Sequence, residues 1–135
     1  MGFQALGQEE LVRRYSEAQA VKLDAHFTHH PLEHLLPLDD ALSVFAPNVY
    51  PFFSVFIQIK PQSLEHILAW RIEQEHAMKA VNGGNGMSDE AVQVFVERYL
   101  PGYELWGENM SNEQWDSALC LEFGQHREVL NVIKL

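Results

Sequence analysis

The run from Phe52 to Ile59, FFSVFIQI, constrains this chain more than any other stretch. It is nearly continuous in apolar, β-branched and aromatic residues, whereas a strand with one wet face would alternate polar and apolar. The run predicts a strand covered on both faces, as in a parallel sheet. Ser63 to Ala80 follows with Leu64, Ile67, Leu68, Ile72, Ala77 and Ala80 near helical spacing, Ser63 placed to cap it, and Asn82, Gly83 and Gly84 to stop it. A further helix is expected from Ser88 through Arg98, broken by Pro101. Ala118 to Phe123 and Val129 to Ile133, joined by a turn over Gly124 to Arg127, read as a terminal hairpin.

The first third is less regular. Glu9 to about Leu23 reads as an amphipathic helix through Leu11, Val12, Tyr15, Ala18 and Ala20. Thr28 to Pro37 is polar, His-rich and bracketed by prolines, which suggests a connecting segment. Asp39 and Asp40 are placed to cap a short helix through Phe45, ended by Pro47 and Pro51. The order is helix, short helix, strand, helix, helix, hairpin, so the class is α/β with a small sheet. The whole of 1–135 is expected to form a single domain.

Charge narrows the partners. Nine Lys plus Arg against nineteen Asp plus Glu give a formal net charge of -10, which repels phosphate backbones and anionic membrane surfaces. Neither nucleic acid nor membrane is expected as a partner. No stretch approaches the ~20 apolar residues of a membrane span, and the N-terminus lacks the apolar core of a signal peptide. Gly2 after Met1 invites a myristoylation reading, but Leu6 stands where Ser or Thr is wanted. Cys120, the one cysteine, lies between Leu119 and Leu121 and reads as an inert buried thiol in a reducing, cytoplasmic setting.

Arg71, Lys79 and Arg98 are three of the nine cations and lie on the two helices flanking the glycine-rich turn. Arg71 and Lys79 are eight residues apart, about 80° around a helix, so one ligand could sit near both. A phosphate clamp is one reading; the other pairs Arg71 with Glu75 at i+4 and leaves Lys79 solvated, and spacing alone favours the second. Gly83, Gly84 and Gly86 lead into a helix N-terminus able to take an anion. Asp89 and Glu90 already place negative charge there, so a plain hinge is favoured. His26, His30 and His34 stand at i, i+4 and i+8 as zinc ligands would on a helix, but Pro31 separates them and no metal site is expected. Tyr99, Tyr103, Trp106 and Trp115 gather around Pro101, where packing onto the domain is favoured over stacking on a base. No Ser/His/Asp or Cys/His nucleophile arrangement stands out.

Taken in order, WRIEQE from Trp70, GNGMSDEAV from Gly84 and FVERYLPGYELW from Phe95 resemble the C-terminal region of the glycerate-kinase-like branch of P-loop kinases. That family has a similar W-R-x-x-Q-E helix, a G-x-G-M-[ST]-D turn and a F-V-x-x-Y-x-P-x-Y-E-L segment. GFQAL at Gly2 to Leu6, LEHLLPLDDAL from Leu32 and FGQHREVLNVIKL from Phe123 extend the resemblance over almost the whole chain. Asp39 and Asp40 stand where the family tends to have Asn and Glu. No GxxxxGK[ST] phosphate loop occurs in the 135 residues.

The resemblance implies a partial P-loop kinase-like parallel sheet with flanking helices and a C-terminal β-hairpin. It implies ATP-dependent phosphoryl transfer to a small-molecule hydroxyl, with ATP and Mg²⁺ as cofactors of the family and doubtful binding by this chain alone. Arg71 would belong to a lid over the ATP phosphates, with Lys79 and Arg98 as further cations, Glu75 orienting Arg71, and Gly84 and Gly86 as the hinge. Without the family's earlier strands, Phe52 to Ile59 would present an unpaired apolar edge. The alternative reading is a non-catalytic interaction module that pairs through that edge, with a partner or with itself.

Overall fold

A computed structural model describes residues 3–107 and 115–135. Gly2 lies outside the described residues. Among the described residues, five helices and three strands follow one another as α1 (Gln8–Ala20), α2 (Leu32–Val49), β1 (Val55–Pro61), α3 (Glu65–Val81), α4 (Asp89–Glu97), α5 (Leu100–Trp106), β2 (Ser117–Phe123) and β3 (Val129–Lys134), with 3-10 turns at His26–His29 and Tyr50–Phe52. The sheet order is β1-β2-β3. β1 runs parallel to β2 in register from Val55 opposite Ser117 to Pro61 opposite Phe123, and α3, α4 and α5 make the crossover such a pair requires. β2 and β3 form the expected antiparallel hairpin, with a register irregularity at Glu122/Phe123.

Three apolar clusters hold these elements. Leu11, Ala18, Phe27, Leu35, Leu105 and Trp106 join α1, the first 3-10 turn, α2 and α5. Leu11 and Leu105 are almost fully enclosed, worth about 2 kcal/mol each in burial. Tyr50, Trp115 and Ala118 pack with Phe56 at the sheet. Val92, Val96 and Leu100 receive Leu64 at the N-cap of α3 and Ile67, Leu68 and Ile72 from α3 itself, the stripe that the sequence spacing marks.

The expected connecting segment from Thr28 to Pro37 and short helix through Phe45 are instead mostly one helix, α2. Pro31 occupies its N-cap, where a missing N–H costs nothing, while Pro37 and Pro47 lie inside it. Each interior proline removes a ladder hydrogen bond, so tertiary contacts carry the helix across them. Asp39 is no cap: it sits inside α2, 1% exposed, and its Oδ1 accepts Leu6 N–H at 2.7 Å and the Trp106 indole N–H at 2.8 Å. Its Oδ2 accepts Gly7 N–H at 3.0 Å, and Asp40 beside it receives Gln8 Nε2. Buried Leu35 and this three-donor anchor outweigh the prolines.

Three other expectations are corrected. β1 is not covered on both faces, since Val55, Ile57 and Ile59 are about half exposed. It is an edge strand with β2 as its one described neighbour, as expected of a partial sheet. Pro101 does not merely break a helix but opens α5 near its first position. The aromatic residues near it pack, though not as one cluster: Trp106 joins the α1/α2/α5 core, Trp115 stacks on Phe56, Tyr103 meets Phe3 edge-on, and Tyr99 lies exposed against Phe95. Cys120 is buried in β2, and burial pushes its thiol pKa up, consistent with an inert thiol.

Candidate functional site

The turn between α3 and α4 is built from backbone requirements. Gly83 and Gly84 take φ of 76° and 86°, and Gly84 N–H returns to the Lys79 carbonyl at 2.9 Å, the six-to-one bond that closes a helix through a left-handed residue. Gly86 is small for another reason: a Cβ there would stand 2.6 Å from Glu75 Oε1 and 3.0 Å from two carbons of Lys79. The turn therefore lies directly on α3. Ser88 then caps α4, its hydroxyl accepting Ala91 N–H at 3.2 Å. Hydrogen bonding to its own backbone N–H, and then to the Ser88 hydroxyl, holds the Glu90 carboxyl below its ordinary pKa. Negative charge therefore stands at this helix start, which disfavours an anion there.

Glu75 is the centre of the arrangement. Its carboxylate is 1% exposed; Oε1 accepts Met87 N–H at 2.9 Å and Oε2 lies 3.0 Å from Arg71 NH2, close enough for an ion pair but out of line for a hydrogen bond. Arg71 also donates from NH1 to Gln74 Oε1 at 2.9 Å and rests over the Phe95 ring, 5.6 Å from its centroid. The i+4 pair is thus present. It holds the guanidinium at the seam between α3 and α4 while leaving it partly exposed. His76 Nε2 to Asp89 Oδ1, 2.7 Å, clips the same two helices from outside.

The other two cations part company. Lys79 stays beside Gly86 and Glu75, on the helix that carries Arg71. Arg98, at the C-cap of α4, lines two cavities with His30, and neither Arg71 nor Lys79 lines either of them. His26 and His29 belong to the 3-10 turn, bonded to Glu104 and Asp24 respectively, while His34 lies in α2 beyond Pro31. The histidines do not share a helix.

Sequence reasoning missed a crevice of about 370 Å³ outside the carboxyl end of β1, where open α/β sheets bind ligands. Gln58, Lys60 and Gln62 line it from the strand and its exit, and Tyr103 and Glu104 from α5. Gln58 is fixed by donating from Nε2 to the Gly107 carbonyl at 2.7 Å. Glu104 is occupied by the N–H groups of His26 and Phe27 and by His26 Nδ1. Burial raises the Tyr103 phenol above its ordinary pKa. The available signal was modest: Gln58 and Lys60 are the polar interruptions of an apolar strand, two apart and therefore on one face.

No protein-family model matches the sequence. The chain is 33% identical over 88 residues to the uncharacterized kinase mug58 of Schizosaccharomyces pombe, covering 65% of this chain and 31% of that protein. It is 30% identical over 109 residues to the chloroplastic D-glycerate 3-kinase of Arabidopsis thaliana, covering 72% and 24%. The solved structure of D-glycerate 3-kinase from Cryptococcus neoformans var. grubii superposes with a TM-score of 0.89 at 31% identity, over 99% of this chain and 47% of that one. The chain spans a quarter to a third of the length of the curated relatives and just under half of the solved one. Its mixed α/β fold matches that neighbour, and the resemblance read from the motifs is borne out.

Proposed function

We propose, from the premise that this chain is homologous to part of the glycerate-kinase-like kinases, that it forms the lid-bearing part of an ATP-dependent phosphotransferase acting on a small hydroxy acid. The observation that carries this reading is Arg71 held by buried Glu75 at the α3/α4 seam. A guanidinium fixed in this way keeps its charge and its fork, which is what stabilises charge on a transferring phosphoryl group. Gly84 and Gly86 supply the hinge, Lys79 a second cation, and the crevice beyond β1 a place for the reacting groups. Closure of such a lid excludes water and limits hydrolysis of ATP.

ATP and Mg²⁺ are the cofactors of this reading, and the cytoplasm its setting. The 135 residues contain no phosphate loop, so the chain alone neither binds ATP tightly nor transfers phosphate. Calorimetric titration with Mg-ATP should show no saturable binding; micromolar affinity would overturn the claim. Reading the coding sequence upstream of Met1 gives the complementary check. If it encodes GxxxxGK[ST], Arg71→Ala in the joined protein should lower kcat about 10²-fold or more, with the acceptor KM little changed.

The exposed apolar edge of β1 favours a second reading, a non-catalytic module that pairs through that edge with a partner or itself. Sedimentation at high concentration separates the self-pairing form: a clean monomer excludes it.

A further inference from the structure

The strongest feature that the lid reading leaves unused is a groove of about 540 Å³ between α2 and the α4–α5 junction. Leu35, Leu38, Leu42 and Phe45 form one wall, a stripe at helical spacing on α2. Pro101 and Trp106 face them. The volume falls within the ~300–1,000 Å³ of small-molecule sites, and mostly apolar walls with few polar groups are what such sites show.

His30, His34 and Arg98 are among those polar groups: His30 and His34 stand at the N-terminal end of the α2 stripe, and Arg98 and His30 together also line the cavity shared with His26 and His29. The Arg98 guanidinium and the imidazoles of His30 and His34 have no hydrogen-bond or ion-pair partner among the described residues. Elsewhere the arginines are paired: Arg13 and Arg14 with Glu10, Arg71 with Glu75, Arg127 with Glu73. In a chain of net charge -10, an unpaired arginine lining the same groove as two unpaired imidazoles is complementary to an anion from outside. Glu97 on the neighbouring cavity is already engaged by Gln93 Nε2 at 2.9 Å.

We propose that this groove binds a small aromatic carboxylate, its ring between the α2 stripe and Trp106 and its carboxylate on Arg98, His30 and His34. An aromatic body suits walls that include Phe45, Tyr99 and Trp106, where ring contacts add to area burial. The carboxylate suits a guanidinium that offers two parallel donors and is always charged. The site is separate from Arg71 and Glu75, and does not depend on the lid reading.

Calorimetry with naphthoate, against the neutral naphthylmethanol, tests this on the chain as it stands. Naphthoate should bind saturably at one site and at least about tenfold tighter than the alcohol. Arg98→Met should remove that preference and leave the alcohol unaffected, because the apolar walls persist. Leu42→Trp should abolish binding of both by filling the groove. Unchanged circular dichroism and melting temperature show that each variant folds, and exposed Arg98 makes its replacement the safer of the two. No saturable naphthoate binding, equal affinity for acid and alcohol, or an unmoved affinity in R98M would each overturn the proposal. So would a self-associated chain dissociated by Leu38→Asp, which would give the groove to a second copy.

Discussion

Asp39 and Glu75 are both carboxylates, both 1% exposed and both on the inner face of a helix, yet they hold their surroundings in different ways. Asp39 gathers three neutral donors, two from the segment entering α1 and one from the Trp106 indole. Its charge is spread over hydrogen bonds with no mobile partner. Glu75 accepts a single backbone N–H and faces a charged side chain that other groups also hold. The first arrangement locks a scaffold whose core is Leu11, Leu105 and Trp106. The second ties a turn to a helix by contacts that a rotation of Arg71 or a shift of Met87 would loosen, in a two-helix unit with its own small core.

Substitution of Asp39 should break the comparison most severely. Asp39→Ala leaves the buried Trp106 indole N–H and two part-buried backbone N–H groups unpaired and should lower stability by about 3 kcal/mol in urea unfolding. A loss below about 1 kcal/mol would mean the anchor is not what holds α1 to α2. Glu75→Ala should cost less, about 1–2 kcal/mol, since one N–H is orphaned and Arg71 is partly exposed. Its signature is local: amide exchange at Met87 should rise far more than exchange in α1, and a uniform rise would make Glu75 as global as Asp39.

Next come the glycines. Gly86→Ala pushes a methyl onto the Glu75 carboxylate and should reproduce part of the Glu75→Ala exchange pattern, with a loss of about 1 kcal/mol. Gly84→Ala meets no neighbour within 4 Å, so its cost, also about 1 kcal/mol, comes from φ alone and should leave Met87 exchange unchanged. The smallest effect is on pH dependence. Burial raises the phenols of Tyr50 and Tyr103 above the ordinary 10.0. A folded-state pKa above the unfolded one leaves stability untouched below about pH 10 and lowers it as pH rises through the folded value. Spectroscopic titration should show a late phenolate phase that vanishes in the Tyr50→Phe, Tyr103→Phe double variant; if the phase survives, those burials have been misjudged.

Much of the α3–α4 pair was legible because its signals are local. The Leu64, Ile67, Leu68, Ile72 stripe, the Ser88 cap and the left-handed glycines each follow from a few neighbouring residues. The i+4 pairing of Arg71 with Glu75 was legible too. The α2 region was not, because Pro37 and Pro47 argue locally against a helix that Asp39 and Leu35 secure through residues more than thirty positions away. The separation of Arg98 from Arg71 was hidden for the same reason. Spacing orders residues along one helix but does not say which way the next helix turns.

About a third of the way along α3, Trp70 donates its indole N–H to the Gln125 carbonyl at 2.6 Å, and Arg127 both stacks on that ring and pairs with Glu73 at 2.7 Å. This contact to the β2–β3 turn divides the helix into an anchored stretch and an overhanging one. Seen as a lever, α3 has its fulcrum at Trp70. Arg71 sits almost on the pivot, while Lys79 rides about 13 Å out along the arm and the glycine turn further still. Rocking of the arm would sweep Lys79 through a wide arc and leave Arg71 nearly where it is.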